Sequence, residues 1–384
     1  MIMWECGSGV RRSAGSGLAL AVVMSGPALA QAPPPELWTL SLDTSSRWDN
    51  NVNLASDGDA GITSRYGLGI SYIRNTPLTQ LSANGSGSAT HYIAQAGGDR
   101  FWYSGTLRWS RSLSPRTRFS ISDSINSSFT QTAPLLADNG LVFPYTQTLT
   151  NELELGLDHG LSERHALALS ARHDHVVFRE SELLGGDQAN LDASYRLRFG
   201  PRTLGGLTYS FRLLDLDTLV LMTHSVYLNW SRQLGQYTDL SLAAGGTASP
   251  AREGQPALFS PVGSVSLGHQ TERNRFSLSF HRRVDQAFGF GRQRVGDVVN
   301  LSWSREIGRI WNIRLNGGYG RSRDPSDVDF GYESQYLAGG FGVRPTRNFG
   351  IGADGRAVRR SLSDGRADTS LGAGISMSYS WEWR

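Results

Sequence analysis

The chain has 384 residues, 39% of them hydrophobic, and a formal net charge of +3. Its mean hydropathy of −0.31 and the lack of a long apolar run in its body exclude a bundle of membrane-spanning helices, each of which needs about 20 apolar residues. All 37 basic residues are arginine, and they are scattered rather than clustered, which argues against a nucleic-acid-binding protein.

The first thirty residues read as a secretory signal. Arg11 and Arg12 supply positive charge, Leu18 to Met24 form a short apolar stretch, and Ala28-Leu29-Ala30 is a small-residue cleavage site. The expected mature chain begins at Gln31. The sole cysteine, Cys6, lies in the leader, so a disulfide framework and a cysteine metal site are excluded from the mature chain. Pro33, Pro34 and Pro35 then make a stiff lead-in that cannot pair as a strand.

From there the pattern is period-2 alternation. Tyr66, Leu68, Ile70 and Tyr72 oppose Arg65, Gly67, Gly69 and Ser71. Tyr103, Leu107 and Trp109 oppose Ser104, Thr106 and Arg108. Leu149, Leu153, Leu155 and Leu157 oppose Thr150, Glu152, Glu154 and Gly156. The pattern recurs around Tyr195, Tyr209, Leu278 and Leu315. It is clearest at the end, where Leu371, Ala373, Ile375, Met377, Tyr379, Trp381 and Trp383 alternate with Gly, Ser and Glu. So many one-sided strands with no helical layer to cover them suit hydrocarbon on one face and water on the other. The expected fold is all-β: one transmembrane antiparallel β-barrel of about 18 strands (roughly 16–20), each crossing the bilayer in about 9–11 residues. That places the chain in the cell outer membrane, with outer-membrane lipid, lipopolysaccharide and the barrel-assembly machinery as its expected partners. The mature chain, residues 31–384, reads as a single domain.

Short polar turns are expected at Ser114-Pro115-Arg116, Phe199 to Arg202, Glu272 to Asn274 and Arg344 to Arg347. Longer connections are expected at Ala133 to Asn139, Leu183 to Gln188, Ala248 to Gln255 and Ser322 to Asp329. Short periplasmic turns alternating with longer outer loops are the usual barrel arrangement.

The alternation gives a list of candidate pore-lining residues: Arg108, Glu152, Glu154, Arg172, Asp192, Arg196, Arg198, Arg212, Arg283 and Arg314, with Asp354 alongside. Two readings compete. Inward charges of opposite sign cross-pair and keep the lumen wet, or excess arginine selects anionic solutes or glycans. Trp109, Trp230, Trp303, Trp311, Trp381 and Trp383 fit an interfacial aromatic girdle, whereas Trp102 has inward parity. Tyr379, Trp381 and Trp383 form the candidate membrane-assembly signal. His173 and His175 share one face of a strand, as a metal-chelating pair would, but have no third ligand nearby, so a strand-end reading is favoured. Asp57-Gly58-Asp59 lacks the spaced ligands of a calcium loop. No G-x-S-x-G elbow is present, although strand-borne catalytic pairs would leave no such motif; the expectation is a non-enzyme without metal site or cofactor.

The stretch from Leu42 to Leu54, with Arg47-Trp48-Asp49-Asn50-Asn51, resembles the opening strand and Asp-Asn turn of outer-membrane β-barrels associated with exopolysaccharide export, of the beta-barrel porin type. That resemblance implies a passive, non-catalytic conduit for secreted polysaccharide, working with periplasmic export proteins. The alternative is a general or solute-specific porin; an outer-membrane enzyme or a scaffold with a plugged lumen comes third. The chain ends on Arg384 rather than on the aromatic Trp383, a departure from the usual barrel terminus.

Overall fold

A computed structural model describes residues 36–51, 60–93, 100–129, 147–179, 183–216, 219–251, 257–288, 292–324, 327–362 and 367–383. The expected leader, residues 1–30, lies outside the described residues, as do the loop at Ala133 to Asn139 and the segment Asp57-Gly58-Asp59. The strands are β1 (Glu36–Asp49), β2 (Gly61–Asn75), β3 (Thr79–Ile93), β4 (Arg100–Ser114), β5 (Thr117–Phe129), β6 (Gln147–Gly160), β7 (His165–Phe178), β8 (Gly186–Gly200) and β9 (Thr203–Leu216). They continue with β10 (Leu219–Gln233), β11 (Thr238–Ser249), β12 (Leu258–Gln270), β13 (Asn274–Ala287), β14 (Arg292–Ile307), β15 (Trp311–Asp324), β16 (Asp327–Val343), β17 (Phe349–Leu362) and β18 (Ala367–Trp383). Each pairs antiparallel with the next, and β18 pairs with β1 from Trp38↔Trp383 to Asp49↔Gly372, so the 18-stranded sheet closes on itself. Closure satisfies the backbone without a free edge, which is the condition for crossing hydrocarbon with strands.

Register carries the side-chain pattern around the barrel. Leu40, Ile70, Gly85, Gly105 and Ile125 follow one another across β1 to β5 on the outer face. Leu68, Phe101, Leu228, Phe259 and Ile375 are each at least half exposed there. For a water-soluble protein such a surface would be an aggregation site; here it is the lipid-facing belt. Trp38 packs 4.5 Å from Tyr72 and stacks 6.4 Å from Trp383, and Trp311 stacks 4.9 Å from Phe341. These rings gather at the end that carries both termini, where an interfacial girdle belongs. Tyr379 and Trp381, 4.3 Å apart, sit on the same outer face and border the β18–β1 closure.

The turns at that end span 115–116, 201–202, 271–273 and 344–348, matching the expected hairpins. Gly308, in the β14–β15 turn, has φ +66°, a left-handed backbone that glycine adopts without steric cost. At the opposite end three expected loops are shorter than the sequence suggested. Gly186 to Gln188 belong to β8, Ala248 and Ser249 to β11, and Ser322 to Asp324 to β15. Cross-strand pairing extends into these turn-rich segments because strand preference follows context, and a neighbouring strand outweighs the weak intrinsic preference of Gly and Asp.

Candidate functional site

Inward positions are small and polar, and neighbouring strands tie them together. Ser86 and Ser104 Oγ atoms lie 2.7 Å apart, Ser225 and Thr247 hydroxyls 2.8 Å, and Ser277 and Ser302 hydroxyls 3.0 Å. Register places Arg108, Glu152, Glu154, Arg172, Asp192, Arg196, Arg198, Arg212 and Arg314 on this inner face. Two are ion-paired: Arg196 with Asp158 of another strand, and Arg172 Nε with Asp174 Oδ2, two residues on along β7, at 3.2 Å. Asp354, also inward, pairs with Arg47, and Arg356 pairs with Asp49 at 3.2 Å. Asp174 is almost wholly buried, and the amides of Gln188 and Asn190 donate to its Oδ2 at 3.0 and 3.1 Å.

One sector is different. Among the described residues, β2 to β5 contain a single carboxylate, Asp123, and it faces outward. Their inner face carries Arg65, Arg100, Arg108 and Arg118 among Ser, Thr, Asn, Gln and Gly. Arg118 Nη2 donates to Gln80 Oε1 at 2.7 Å and Ser110 Oγ at 2.8 Å, both neutral acceptors. Arg65 stacks 4.4 Å from the inward Trp102 ring, and Arg100 4.7 Å from Tyr92. Cation–π contacts orient guanidinium groups without neutralising them. The four arginines run from the loop end (Arg65, Arg100) through mid-wall (Arg108) to the turn end (Arg118).

The second distinctive feature is an inward arm. β12 and β13 pair only from Gln270↔Arg275 to Gly263↔Arg282, which leaves Leu258 to Val262 of β12 paired with β11 alone. Pro261 stands in that stretch and has no N–H to donate, so strands accept it where pairing is incomplete. β13 and β14 stay paired with each other up to Ala287↔Arg292. The freed end of the hairpin leans into the lumen, and Phe288, 2% exposed, packs with Val176, Leu214, Leu216 and Leu221. These four lie on the inner faces of β7, β9 and β10, several strands away around the wall. Arg212 Nη1 donates to the Val284 carbonyl at 3.4 Å, and Gln293 Nε2 donates to Ser249 Oγ.

Two contributions hold the docked arm. Burying a phenylalanine contributes about 1.5–3 kcal/mol, and a hydrogen bond from a charged donor about 1.5–3 kcal/mol. Zipping back onto β12 would add only a few neutral backbone bonds of about 0.5–1.5 kcal/mol each, and Pro261 removes one donor. Arg283, expected to line the pore, is instead 6% exposed at the root of this arm. The apolar nest was not anticipated from the sequence.

No family model and no curated protein sequence matches the chain. Solved structures do. OccAB4 of Acinetobacter baumannii aligns with a TM-score of 0.50 at 11% identity, over 91% of this chain and 99% of that one. OccAB2 of Acinetobacter baumannii aligns with a TM-score of 0.50 at 9% identity, over 91% of this chain and 98% of that one. Both are outer-membrane barrels of the porin kind. This chain has the outer-membrane β-barrel fold. At such identity the likeness speaks for fold alone, and the place of the protein is the cell outer membrane.

That setting explains the outer-face polar groups. His173 Nε2 and His175 Nδ1 both face outward and approach Asp187 Oδ1, at 3.1 and 2.9 Å. The three lie near the loop end of the barrel wall, and no metal-holding group exists among the described residues. Arg282, Asp297 and Arg323 form an outward ion-pair chain near the same end, with contacts of 3.4 and 3.7 Å. Lipid-facing charge costs about 2–4 kcal/mol at the midplane but about 0–1 near the interface, which is why these groups gather at the rim. Asp123 lies deeper, where the Asn151 amide donates to it at 3.0 Å.

Proposed function

We propose that this barrel is a porin-type channel for small solutes, with a preference for anions. Eighteen strands enclose enough space for an aqueous passage. The observation that carries the reading is the inner face of β2 to β5, which carries Arg65, Arg100, Arg108 and Arg118 and, among the described residues of these strands, no inward carboxylate. On other strands several inward arginines are matched by acid, as in Arg196–Asp158 and Arg172–Asp174. An excess of arginine over acid on a water-filled wall lowers the barrier for an anion and raises it for a cation. Arg also offers a planar fork that matches carboxylate and phosphate.

This reading takes precedence over the polysaccharide conduit that the resemblance implied. The arm occupies lumen that a thick polymer would need. Flux into liposomes carrying the refolded barrel tests the proposal. A small sugar acid should enter faster than a neutral sugar of equal size, and replacing Arg65, Arg108 and Arg118 together with Gln should remove the difference. Equal rates for the two sugars in the unaltered barrel would refute anion preference; no entry of either would refute the channel. Loss of surface polysaccharide on deletion, with no change in small-solute uptake, would restore the conduit reading.

A further inference from the structure

Strands that run down to the turn end repeat a short motif. Trp109-Ser110-Arg111 on β4, Trp230-Ser231-Arg232 on β10 and Trp303-Ser304-Arg305 on β14 each set a tryptophan and an arginine two residues apart. Register turns both outward. Trp109 and Arg111 lie opposite Leu81 and Thr79, Trp230 and Arg232 opposite Leu242 and Leu240, and Trp303 and Arg305 opposite Leu315 and Ile313. The ring belongs at the boundary of the hydrocarbon. An arginine two residues further on, about 6–7 Å along the strand, stands at headgroup depth. Strands that rise from the turns mirror the order: Arg309 comes two residues before Trp311, and Arg347 two before Phe349.

These arginines are densest between β12 and β17. The turns 271–273, 308–310 and 344–348 lie side by side: the Glu306 amide donates to the Arg273 carbonyl at 2.8 Å, and the Arg344 amide to the Ile310 carbonyl at 2.7 Å. They present Arg273, Arg309, Arg344 and Arg347, with Arg305 beside them, and all five are exposed. The acid among them is Glu272; Glu306 has inward parity, opposite Asn312. Among the described residues, Arg305, Arg309 and Arg347 make no ion pair. The opposite rim differs. There Arg282 and Arg323 meet Asp297, and Arg321 Nε meets Glu333 Oε1 at 3.2 Å. Three outward arginines of the loop end thus bring their own counter-ions, while those of the turn end leave a place for one from outside.

We infer that the turn end of β13 to β17 binds the headgroup of an anionic phospholipid in the periplasmic leaflet. The guanidinium groups of Arg305, Arg309 and Arg347 take the phosphate oxygens through charge-assisted hydrogen bonds. Trp303, Trp311 and Phe349 cover the start of the acyl chains. Basic clusters at a membrane surface attract anionic lipid, whereas a zwitterionic headgroup carries its own cation and gains less. Lipid is the favoured occupant because each arginine follows a girdle ring on the lipid-facing side. The site lies outside the wall and is independent of an anion route through the lumen.

The test uses the mature barrel refolded into vesicles of phosphatidylcholine and phosphatidylglycerol in equal amounts, with bromine on the acyl chains of one lipid or the other to quench tryptophan. Brominated phosphatidylglycerol should quench more than brominated phosphatidylcholine. Equal quenching overturns the inference and leaves the arginines to an acidic periplasmic partner. Arg305→Gln with Arg309→Gln and Arg347→Gln should remove the difference, each arginine having supplied a factor of about five. Arg321→Gln with Arg323→Gln, at the other rim, should leave it in place. All these positions are exposed, so the variants should fold. A preference that survives the first variant, or disappears in the second, shows that the turn-end arginines do not hold the headgroup. Added salt should weaken the preference; a preference indifferent to salt contradicts a charge-based site.

Discussion

The wall from β2 to β5 and the hairpin of β13 and β14 are built from the same antiparallel pairing, yet only one stays in the barrel. From β2 to β4 the register is continuous, from Ile62↔Ile93 through Thr79↔Arg111, and β4 and β5 shift only beside their turn, between Ser112 and Ser114. Each strand keeps apolar residues on one face and polar residues on the other. In β13 and β14 a neighbour with Pro261 fails to complete the ladder, and the opposite wall offers Leu214, Leu216, Leu221 and Val176 inside the lumen. A strand end remains in the wall when its neighbour can pair with it and the lumen is wet. It leaves when pairing is incomplete and the lumen offers a dry place to dock. On the proposed reading, the first region sets charge selectivity and the second the width of the passage.

The largest effect is expected at the arm. Phe288→Ala removes the side chain that fills the nest and should cost arm docking about 3–5 kcal/mol. Single-channel conductance should rise, while the unfolding transition of the barrel moves little, because the arm opens as a local unit. A global loss of stability would show instead that the arm is part of the wall's cooperative structure. Next comes Leu68→Arg, on the lipid face midway along β2 and 53% exposed. Here the penalty should fall on the barrel itself, about 2–4 kcal/mol for a midplane arginine, measured by unfolding in bilayers. No penalty would mean that this face does not meet hydrocarbon.

Arg108→Gln with Arg118→Gln should leave stability nearly unchanged and reduce anion preference by roughly half of what the four-arginine sector supplies, with the field falling as charges are removed. If selectivity is unaltered, the sector does not line the conducting path. The smallest effect belongs to Arg74→Gln, which breaks a 3.4 Å contact with Glu36 between half-exposed side chains. It should cost no more than about 1 kcal/mol. A larger loss would mean that the turn end is held by ion pairs rather than by its aromatic girdle.

Much of the wall could be read from residue order because a strand's faces alternate with a fixed period. Tyr66, Leu68 and Ile70 could face only one way once the helix was excluded, and the closing strand through Trp383 left no other phase. The arginine sector was half visible: alternation puts Arg65 and Arg108 on the polar face, but the lack of an inward carboxylate on these four strands emerges only when β2 to β5 are laid next to one another. The arm was not foreseen, although a local trace of it exists. Val176-Val177-Phe178, Leu213-Leu214 and Leu219-Val220-Leu221-Met222 are apolar on both faces at strand ends. An outward belt explains only every second residue of such a run. The inward remainder needs a third partner, and no local pattern says that it is Phe288, more than a hundred residues further along in one of the three cases. The outward placement of His173 and His175 followed from parity, but their shared contact with Asp187 depends on the pairing of β7 with β8.

The most direct measurement is the reversal potential of the refolded barrel in a planar bilayer across a potassium chloride gradient. Open channels whose reversal potential has the sign of chloride selectivity are predicted. A silent bilayer at verified insertion, or a potential with the sign of potassium selectivity, would contradict the account.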